Sequence, residues 1–289
     1  RLADKLGLRV TGSELVGLIP KEALLMAGRH YLAKQGKSPG VPEAELVRTA
    51  VRSLGLGDVV PFDPEKKIIE YQFRETGPTL AAMSLRGFAD ELSMDSPAPG
   101  GGSVAALCGA LSAALAAMVA NLTVGKKGYE AVAEEMAVTA VRGQALKDAL
   151  LEAVDRDTRA FNKVMDAFRL PKATPEQAAE KERALEAANK EATLVPLEVL
   201  EQAVEAVALA KLAAAKGNRN SVSDAGVAGL VGWAAGEGAY DNILINLGSI
   251  KDAAFKAEVR KRTAALRKSL DRDAKAVRAV VAKALAAAG

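Results

Sequence analysis

The stretch SPAPGGGSVAALCGALSAALAAMVANLTVG, residues 96–125, decides the fold class of this sequence. It contains no charged side chain and is followed at once by Lys126 and Lys127. After the glycines its larger side chains recur at steps of three and four, which is the period of an α-helix. They are Val104, Leu107, Leu111, Leu115, Met118 and Leu122. Because alanine and glycine fill most of the remaining positions, this helix has one bulky stripe and one smooth side.

The same stretch is long enough to cross a membrane. Alanine contributes little to membrane insertion, however, and the helix lacks aromatic belts at its ends. The other predicted helices are amphipathic. We therefore expect a bundle helix contacted on all sides and no contact with a membrane. Its alanine face would let a neighbouring helix or a second subunit approach closely.

The overall composition also favours helices. The 289 residues are 49% hydrophobic but only 4% aromatic, and 39 basic residues nearly balance 36 acidic ones to leave a net charge of +3. So weak a charge argues against nucleic acid as the main partner. Cys108 is the one cysteine in the sequence, which excludes a disulfide framework and a zinc site of clustered ligands, so we expect no metal. No signal peptide is visible after Arg1, and a cytoplasmic protein is expected.

The chain divides into three predicted regions. Residues 1–75 read as a truncated α/β segment, in which IIEYQF (68–73) resembles a strand, and they are too few for a comfortable core. Residues 76–83, with Gly77 and Pro78, are a predicted linker. Residues 84–289 are helical almost throughout. The expected fold is therefore mainly α, a dimerising helical bundle preceded by a truncated segment.

Helix boundaries in the bundle carry clear sequence signals. Ser84 can cap a short helix, and Thr174 followed by a proline and, three residues on, by Gln177 predicts a capping box at the start of a long one. Pro196 lies inside that long helix and predicts a kink or break. Ser223 or Asp224 is expected to cap the next helix, although these residues and Asn218 also suit a binding loop.

The turn before the uncharged helix is a candidate binding element. Pro99 is followed by Gly100, Gly101, Gly102 and Ser103. Free backbone N–H groups and the positive end of the helix dipole suit a carboxylate, a phosphate or a polarised carbonyl at such a place. The spacing is not that of a Walker loop. A flexible turn without a ligand is the alternative.

A carboxylate occupies an apolar position in the next helix, predicted over about residues 129–168. Asp157 falls on its inward stripe, where a buried charge is costly unless it is paired or lines a cavity. The alternative is a slight rotation of the helix that lets Asp157 pair with a neighbouring arginine. Asp155 lies off the stripe and reads as a solvated surface acid. The predicted stripe comprises Leu146, Leu150, Val154, Asp157, Phe161, Val164 or Met165, and Phe168.

Further polar candidates lie elsewhere in the bundle. Asn242 and Asn246 are one helical turn apart among isoleucine and leucine, so at least one amide faces inward, either toward an amide-rich heterocycle or toward another helix. Lys126 and Lys127 either close a helix or clamp an anionic tail. Because His30 is the one histidine and lies in the front segment, acid–base chemistry in the bundle would fall to a carboxylate, lysine or tyrosine.

Four segments together resemble the formiminotetrahydrofolate cyclodeaminase family, which includes bacterial methenyltetrahydrofolate cyclohydrolases. They occur in family order over about residues 84–285. In the front segment, GSELVGLIPKEALL and LGLGDVVPFDPEKKIIEYQF resemble the C-terminal end of glutamate formiminotransferase. That order is the layout of the bifunctional formimidoyltransferase-cyclodeaminase family. The bundle segments are FADELSMDSPAPGGGSVAALCGALSAALAAMVANLTVGKKGYE, VDRDTRAFNKVMDAFRLPKATPE, GNRNSVSDAGVA and AYDNILINLGSIKDAAF.

The resemblance implies a cytoplasmic lyase of histidine degradation and one-carbon metabolism. It would close 5-formimidoyltetrahydrofolate to 5,10-methenyltetrahydrofolate with release of ammonia, and it would need no cofactor beyond the folate substrate. The family carboxylate lies in DRDTRAF (155–161), with Asp157 as the catalytic match. The glycine turn and the asparagines would orient the pterin, and Lys126 or Lys127 would meet the glutamate tail, which can be extended as polyglutamate.

The resemblance also implies a homodimer or higher homo-oligomer. His30 does not match the catalytic histidine of the transferase, so no formiminotransferase activity is expected from this chain. Two other functions remain open from the sequence. One is a methenyltetrahydrofolate cyclohydrolase, and the other is a non-catalytic helical dimerisation module.

Overall fold

The computed structural model describes residues 5–8, 12–73, 77 and 79–287. This part of the chain is helical and contains no β-strand, so the predicted helical class is confirmed. Part of the predicted linker, residues 76 and 78, lies outside the described residues.

The front segment consists of two helices and two short helical turns. Helix α1 spans Lys21–Lys34, α2 spans Glu43–Leu54, α3 spans Pro64–Lys67 and α4 spans Ile69–Gln72. They enclose a small core of their own, and α1 packs against α2. That core is formed by Leu24, Leu25, Leu32, Leu46, Val47, Ala50, Leu56, Ile68 and Tyr71.

The strand predicted at residues 68–73 is wrong, because this segment is helical in the structure. Ile68 and Tyr71, three residues apart, both face the small core, and the Tyr71 hydroxyl donates to Glu43 Oε1 at 2.8 Å. A strand would need a partner edge to satisfy its backbone groups. No described segment offers one, whereas a helical turn satisfies its N–H groups locally. Within the described residues the front segment is therefore helical and not α/β.

Six helices form the larger bundle. Helix α5 spans Leu85–Leu92, α6 spans Gly101–Asn121 and α7 spans Ala133–Arg169. Helix α8 spans Pro175–Lys216, α9 spans Val222–Gly248 and α10 spans Ala253–Ala286. The uncharged helix α6 packs against α7, α8 and α9, while α10 covers α8 and α9. Short 3₁₀ turns at Leu80–Ala82, Glu130–Val132 and Arg219–Ser221 connect these elements.

The smooth side of α6 faces the interior, whereas its bulky stripe is only partly covered, with Leu107, Leu115 and Met118 packed against apolar clusters at its edges. Ala105, Ala106 and Ala113 are buried, and a Cβ on Gly109 would approach Leu150 Cδ2 within 3.0 Å. Leu111, by contrast, is 49% exposed. The alanine face thus admits neighbouring helices of the same chain, because small side chains allow helix axes to come close.

Among the described residues, α6 is the one helix long and apolar enough to cross a membrane. In its most apolar window, 61% of the residues are buried inside the protein. Such burial against three other helices is typical of a core helix and supports the bundle interpretation.

Helix α7 confirms the first half of the predicted stripe, while Phe161, Val164 and Met165 are only half-buried. Leu146, Leu150 and Val154 are buried as expected. Farther along, Ala160 and Ala167 take the buried positions, while Phe168 is 62% exposed, so the prediction for Phe168 is wrong. The stripe rotates because the 3.6-residue period drifts relative to steps of three and four over a helix of this length.

The start signals of the next two helices have different outcomes. Thr174 and Gln177 form the predicted capping box of α8, which continues without interruption through Pro196. The capping prediction for Ser223 and Asp224 is wrong. Helix α9 already begins at Val222, because the preceding turn is organised by Asn218, whose side chain accepts from the N–H of Asn220 at 3.1 Å.

The front segment contacts the bundle through the loop that precedes α2. The carbonyl oxygen of Gly40 accepts from Asn121 Nδ2 at 2.8 Å and from Gln144 Nε2 at 3.2 Å. A Cβ at position 40 would lie 2.3 Å from Ala140 Cβ, so this close approach requires glycine.

Candidate functional site

The first turn of α6 meets the middle of α7 at the carboxyl group of Asp157. The buried hydroxyl oxygen of Ser103 lies 3.1 Å from Asp157 Oδ2 and 3.0 Å from the carbonyl oxygen of Val154, and it can donate to either. The hydroxyl oxygen of Thr158 lies 3.2 Å from the hydroxyl oxygen of Ser103. Asp157 thus points toward α6, as its place in the stripe predicts.

The contact between Asp157 and Gly102 is very close. An ideal Cβ on Gly102 would lie 2.2 Å from Asp157 Oδ1 and 2.6 Å from Oδ2. The carboxyl group therefore occupies the space that a side chain at position 102 would need. This glycine of the turn provides room for the carboxyl group, a role different from the flexibility usually attributed to glycine runs.

Burial raises the pKa of Asp157 above the usual range of an aspartate, and hydrogen bonds from Ser103 partly oppose that rise. Taking a carboxylate out of water disfavours its charged form, whereas donors stabilise it. A carboxyl group tuned in this direction is suited to both accepting and donating a proton nearer neutral pH.

Asn242 belongs to the same end of the bundle. A Cβ on Gly101 would lie 3.7 Å from Asn242 Nδ2, which donates to the carbonyl oxygen of Gly238 at 2.7 Å. The structure thus brings together the turn from Pro99 to Ser103, Asp157 and Asn242.

Asn246 has a structural partner. Its Nδ2 donates to the carbonyl oxygen of Ala192 in α8 at 2.7 Å. Pro196 lies four residues after Ala192 and has no N–H to donate to that carbonyl. The side chain of Asn246 therefore replaces the hydrogen bond that the proline removes, which matches the helix–helix alternative left open for the asparagines.

The remaining candidates lie at the opposite end of α6. Lys126 Nζ donates to Asn218 Oδ1 at 2.8 Å, and the backbone N–H of Asn218 donates to Thr123 Oγ1 at 2.8 Å. Helix α6 is 21 residues long. At about 1.5 Å per residue, about 30 Å separate its ends. Within one chain, the structure therefore does not place this cluster next to Asp157.

Three candidates near the Lys126 end have no direct link to the carboxyl group. Lys127 is exposed in the loop after α6, Ser223 is exposed, and Asp224 is half-buried in the first turn of α9.

Asp155 is not the solvated surface acid that its position off the stripe suggests. Its Oδ1 accepts from the N–H of Leu80 at 2.6 Å, and its Oδ2 accepts from the N–H of Ala81 at 3.3 Å. The periodicity of α7 could not reveal these partners, because they come from the linker, 74 and 75 residues away in sequence.

A cavity of about 380 Å³ opens beside the Asp157 motif. Thr158, Pro99 and Asp155 line it, whereas Asp157 is not among its lining residues and is linked to Thr158 through the hydroxyl of Ser103. Among the described residues, no group of three or more histidine, cysteine, aspartate or glutamate side chains could hold a metal ion. The arrangement can supply a carboxyl group of raised pKa, hydroxyl groups and the N-terminus of a helix to a ligand.

Replacing Gly102 by alanine should destabilise the contact between α6 and α7. The new methyl group must displace the Asp157 carboxyl, and overpacking of this kind costs about 1–3 kcal/mol. The free energy of unfolding, from denaturant titration, measures the effect. Gly101→Ala is the matched control, because its Cβ would be in ordinary contact at 3.7 Å. Equal stability of the two variants would contradict the close approach.

Replacing Asn246 by leucine should destabilise the protein by about 1–3 kcal/mol, because the carbonyl of Ala192 loses its donor. In a Pro196→Ala background the backbone N–H at position 196 is restored, and the same replacement should cost less. A double-mutant cycle of unfolding free energies tests this coupling. Additive effects of the two changes would show that the asparagine does not substitute for the missing N–H.

The chain is similar in sequence to several known proteins. The chain is 39% identical over 268 residues to formimidoyltransferase-cyclodeaminase of Mus musculus, covering 92% of this chain and 49% of that protein. It is 39% identical over 175 residues to methenyltetrahydrofolate cyclohydrolase of Methylorubrum extorquens, covering 61% of this chain and 84% of that protein. The chain thus spans about half the length of the bifunctional relatives it matches.

A solved structure supports the fold. Formiminotetrahydrofolate cyclodeaminase from Thermotoga maritima superposes with a TM-score of 0.64 at 30% sequence identity, covering 71% of this chain and 98% of that one. Residues 1–74 match the family model described as formiminotransferase domain. Residues 84–265 match the model described as formiminotransferase-cyclodeaminase. This chain therefore belongs to the formiminotransferase-cyclodeaminase family.

Proposed function

We propose that this chain is a formimidoyltetrahydrofolate cyclodeaminase, which converts 5-formimidoyltetrahydrofolate to 5,10-methenyltetrahydrofolate and releases ammonia. The observation that carries the proposal is the carboxyl group of Asp157, which has a raised pKa and lies against the glycine turn at the start of α6. The family match over residues 84–265 supports the substrate class.

The reaction moves the N10 proton and takes up one further proton. N10 of the folate attacks the carbon of the protonated formimidoyl group and loses its own proton, and that proton is passed to the amino group so formed, whose bond to carbon then breaks to release ammonia and leave the methenyl cation. Asp157 can accept the proton from N10 and deliver it to the leaving nitrogen, so a single carboxyl group serves as base and then as acid. A raised pKa lowers the free-energy cost of protonating the carboxyl group between these two steps.

Substrate orientation is assigned to the neighbouring polar groups. The N-terminus of α6, from Gly100 to Gly102, offers N–H groups to a polarised carbonyl or carboxylate, and Asn242 offers an amide, whereas the N–H of Ser103 already donates to Asp157. Asn246 is the weaker candidate of the two asparagines, because its Nδ2 bonds to Ala192 of the neighbouring helix α8, whereas the amide of Asn242 bonds within its own helix, to Gly238, and lies near Gly101.

We also propose a homodimer formed through the outward faces of α6 and α9. These helices run antiparallel, since Gly101 lies near Asn242 while Ser112 Oγ donates to the carbonyl of Ala228. Their outward faces leave large apolar side chains in solvent, an arrangement that favours a protein–protein contact. The exposed fractions are 49% for Leu111, 49% for Leu122, 47% for Val227 and 46% for Leu230.

An antiparallel dimer along α6 would give a function to the polar residues at the far end of that helix, Lys126, Lys127 and Asn218. The Lys126 end of one copy would approach the glycine turn of the other, where Lys126 or Lys127 could meet the glutamate tail.

The division into residues 1–75, 76–83 and 84–289, and the lack of formiminotransferase activity, stay predictions.

A cyclohydrolase is the second candidate function. The relative from Methylorubrum extorquens carries that name and matches this chain over most of its own length. Such an enzyme would open methenyltetrahydrofolate with water. A non-catalytic dimerisation module would bind no folate and would tolerate any change at Asp157.

Asp157→Asn should lower turnover of 5-formimidoyltetrahydrofolate by about 10²- to 10⁴-fold, the contribution typical of a general acid–base group. The assay follows methenyltetrahydrofolate by absorbance together with released ammonia, and circular dichroism verifies the fold. Near-normal turnover in a folded variant would eliminate the proton shuttle. Hydrolysis of methenyltetrahydrofolate by the wild type, without deamination, would establish the cyclohydrolase instead.

The same variant should be more stable than the wild type at neutral pH. Because burial raises the pKa of Asp157 in the folded state, folding stability decreases as pH rises from the usual aspartate pKa to the raised one. Asparagine carries no charge, so its advantage should be absent at acid pH and reach its full size above that window. Thermal unfolding across pH measures the difference, and an advantage confined to acid pH would contradict the assigned burial.

Leu111→Glu should convert the dimer to a monomer, because a charge in the apolar face opposes its burial. Sedimentation or light scattering measures the mass. Val138→Glu is the matched control, since Val138 is 65% exposed on α7 and not part of the proposed face. A wild-type monomer, or dissociation by both variants, would exclude this interface.

A further inference from the structure

The linker between the two segments is attached to α7 by one side chain. Both carboxylate oxygens of Asp155 accept backbone N–H groups, from Leu80 at 2.6 Å and from Ala81 at 3.3 Å. The turn at Leu80–Ala82 is also closed internally, because Thr79 Oγ1 accepts from the N–H of Ala82 at 3.2 Å. A charged acceptor strengthens such hydrogen bonds.

The turn that Asp155 holds is a wall of the cavity beside Asp157. Leu80 and Met83 line one side of this cavity of about 380 Å³, and Pro99 and Thr158 line the other. Leu80 also packs against the main core of the bundle. The cavity therefore exists in this form only while the turn remains attached to α7.

Helix α7 contributes Asp155, Thr158 and Arg159 to the lining of this cavity. Asp157 points to α6, where Ser103 contacts it at 3.1 Å, and Thr158 lines the cavity itself. Asp155 points to the linker. The first acid of the motif is thus occupied with positioning a wall, while the second is available for chemistry.

We propose that Asp155 is a positioning residue, which holds the linker turn at residues 79–83 as one wall of the substrate cleft. This inference rests on the proposed cyclodeaminase function, because it assigns the cavity to the same folate substrate. It makes the joint between the transferase-like segment and the bundle a part of the binding site.

The test compares Asp155→Ala and Asp155→Asn in steady-state kinetics. Loss of both acceptors should raise KM about tenfold, which corresponds to the loss of a hydrogen bond to a charged group. The asparagine variant keeps one carbonyl acceptor and should lie between alanine and wild type. The kcat and its pH profile should stay unchanged, because Asp157 is untouched. Asp166→Asn is the control, since Asp166 is an exposed acid of the same helix paired with Arg169.

A second pair of variants tests the anchor from the linker side. Leu80→Ala removes the side chain but keeps the N–H donor, whereas Leu80→Pro also removes the donor. The extended conformation of Thr79, with φ −109° and ψ 150°, is compatible with a following proline. The proline variant should show the larger KM, and combining it with Asp155→Ala should add little. Hydrogen exchange of the amides in residues 79–83 should accelerate in both Asp155→Ala and Leu80→Pro.

The possible outcomes separate this proposal from the proposed function. Faster exchange with an unchanged KM would show that the turn is not a wall of the substrate cleft. Unchanged exchange would show that Asp155 is not its anchor, and a lower kcat with a shifted pH profile would assign Asp155 to proton transfer. If the wild type lacks deaminase activity, the proposed function fails. Binding of tetrahydrofolate, measured by calorimetry, then decides. About tenfold weaker binding by Asp155→Ala than by Asp166→Asn supports the wall, and equal binding overturns it.

Discussion

The contact between Gly102 and the carboxyl group of Asp157 is the constraint on which the site depends. The atom Oδ1 lies 2.2 Å from where a Cβ on Gly102 would be, so a larger residue at position 102 would displace the carboxyl group from this position. This approach buries the carboxyl group, and burial raises its pKa. The same backbone geometry places Ser103 within hydrogen-bonding distance. Packing and acid–base chemistry are therefore consequences of one close contact.

Close approach continues along the whole of α6. Gly109 faces Leu150, and Gly232 of α9 lies so near Ser112 that a Cβ would be 2.5 Å from its hydroxyl oxygen. Small residues allow α6 to be surrounded on three sides, and Leu111 and Leu122 remain exposed on the fourth. Packing against three helices of the same chain buries most of this uncharged helix. Its outward face stays apolar and is suited to contact with another protein surface.

The sequence predicted those features that depend on local pattern. The capping box at Thr174, the uncharged helix and the inward position of Asp157 follow from residue type and a period of 3.6, and the structure contains all three. Features that depend on a distant partner were missed. Asp155 appeared solvated because its two donors lie in the linker, and the segment around Tyr71 appeared extended because β-branched and aromatic residues favour strands when a partner strand is present.

Asn242 and Asn246 also show what helical periodicity alone cannot predict. Periodicity indicated that an amide would face inward, but it could not say whether a ligand or a neighbouring helix would receive it. The decisive fact was Pro196, 50 residues away from Asn246 in sequence, which leaves the carbonyl of Ala192 without its usual donor. A polar residue in an apolar stripe therefore indicates a ligand site only if the backbone of the facing helix has no unpaired group for it to bond. Asn246 supplies the hydrogen bond that α8 lacks at Pro196. Asp157 instead faces the N-terminus of α6, where the helical hydrogen bonds begin with the N–H of Val104, which donates to the carbonyl of Gly100. The N–H groups before it have no such partner within the helix, and this difference makes Asp157 the residue to which chemistry is assigned.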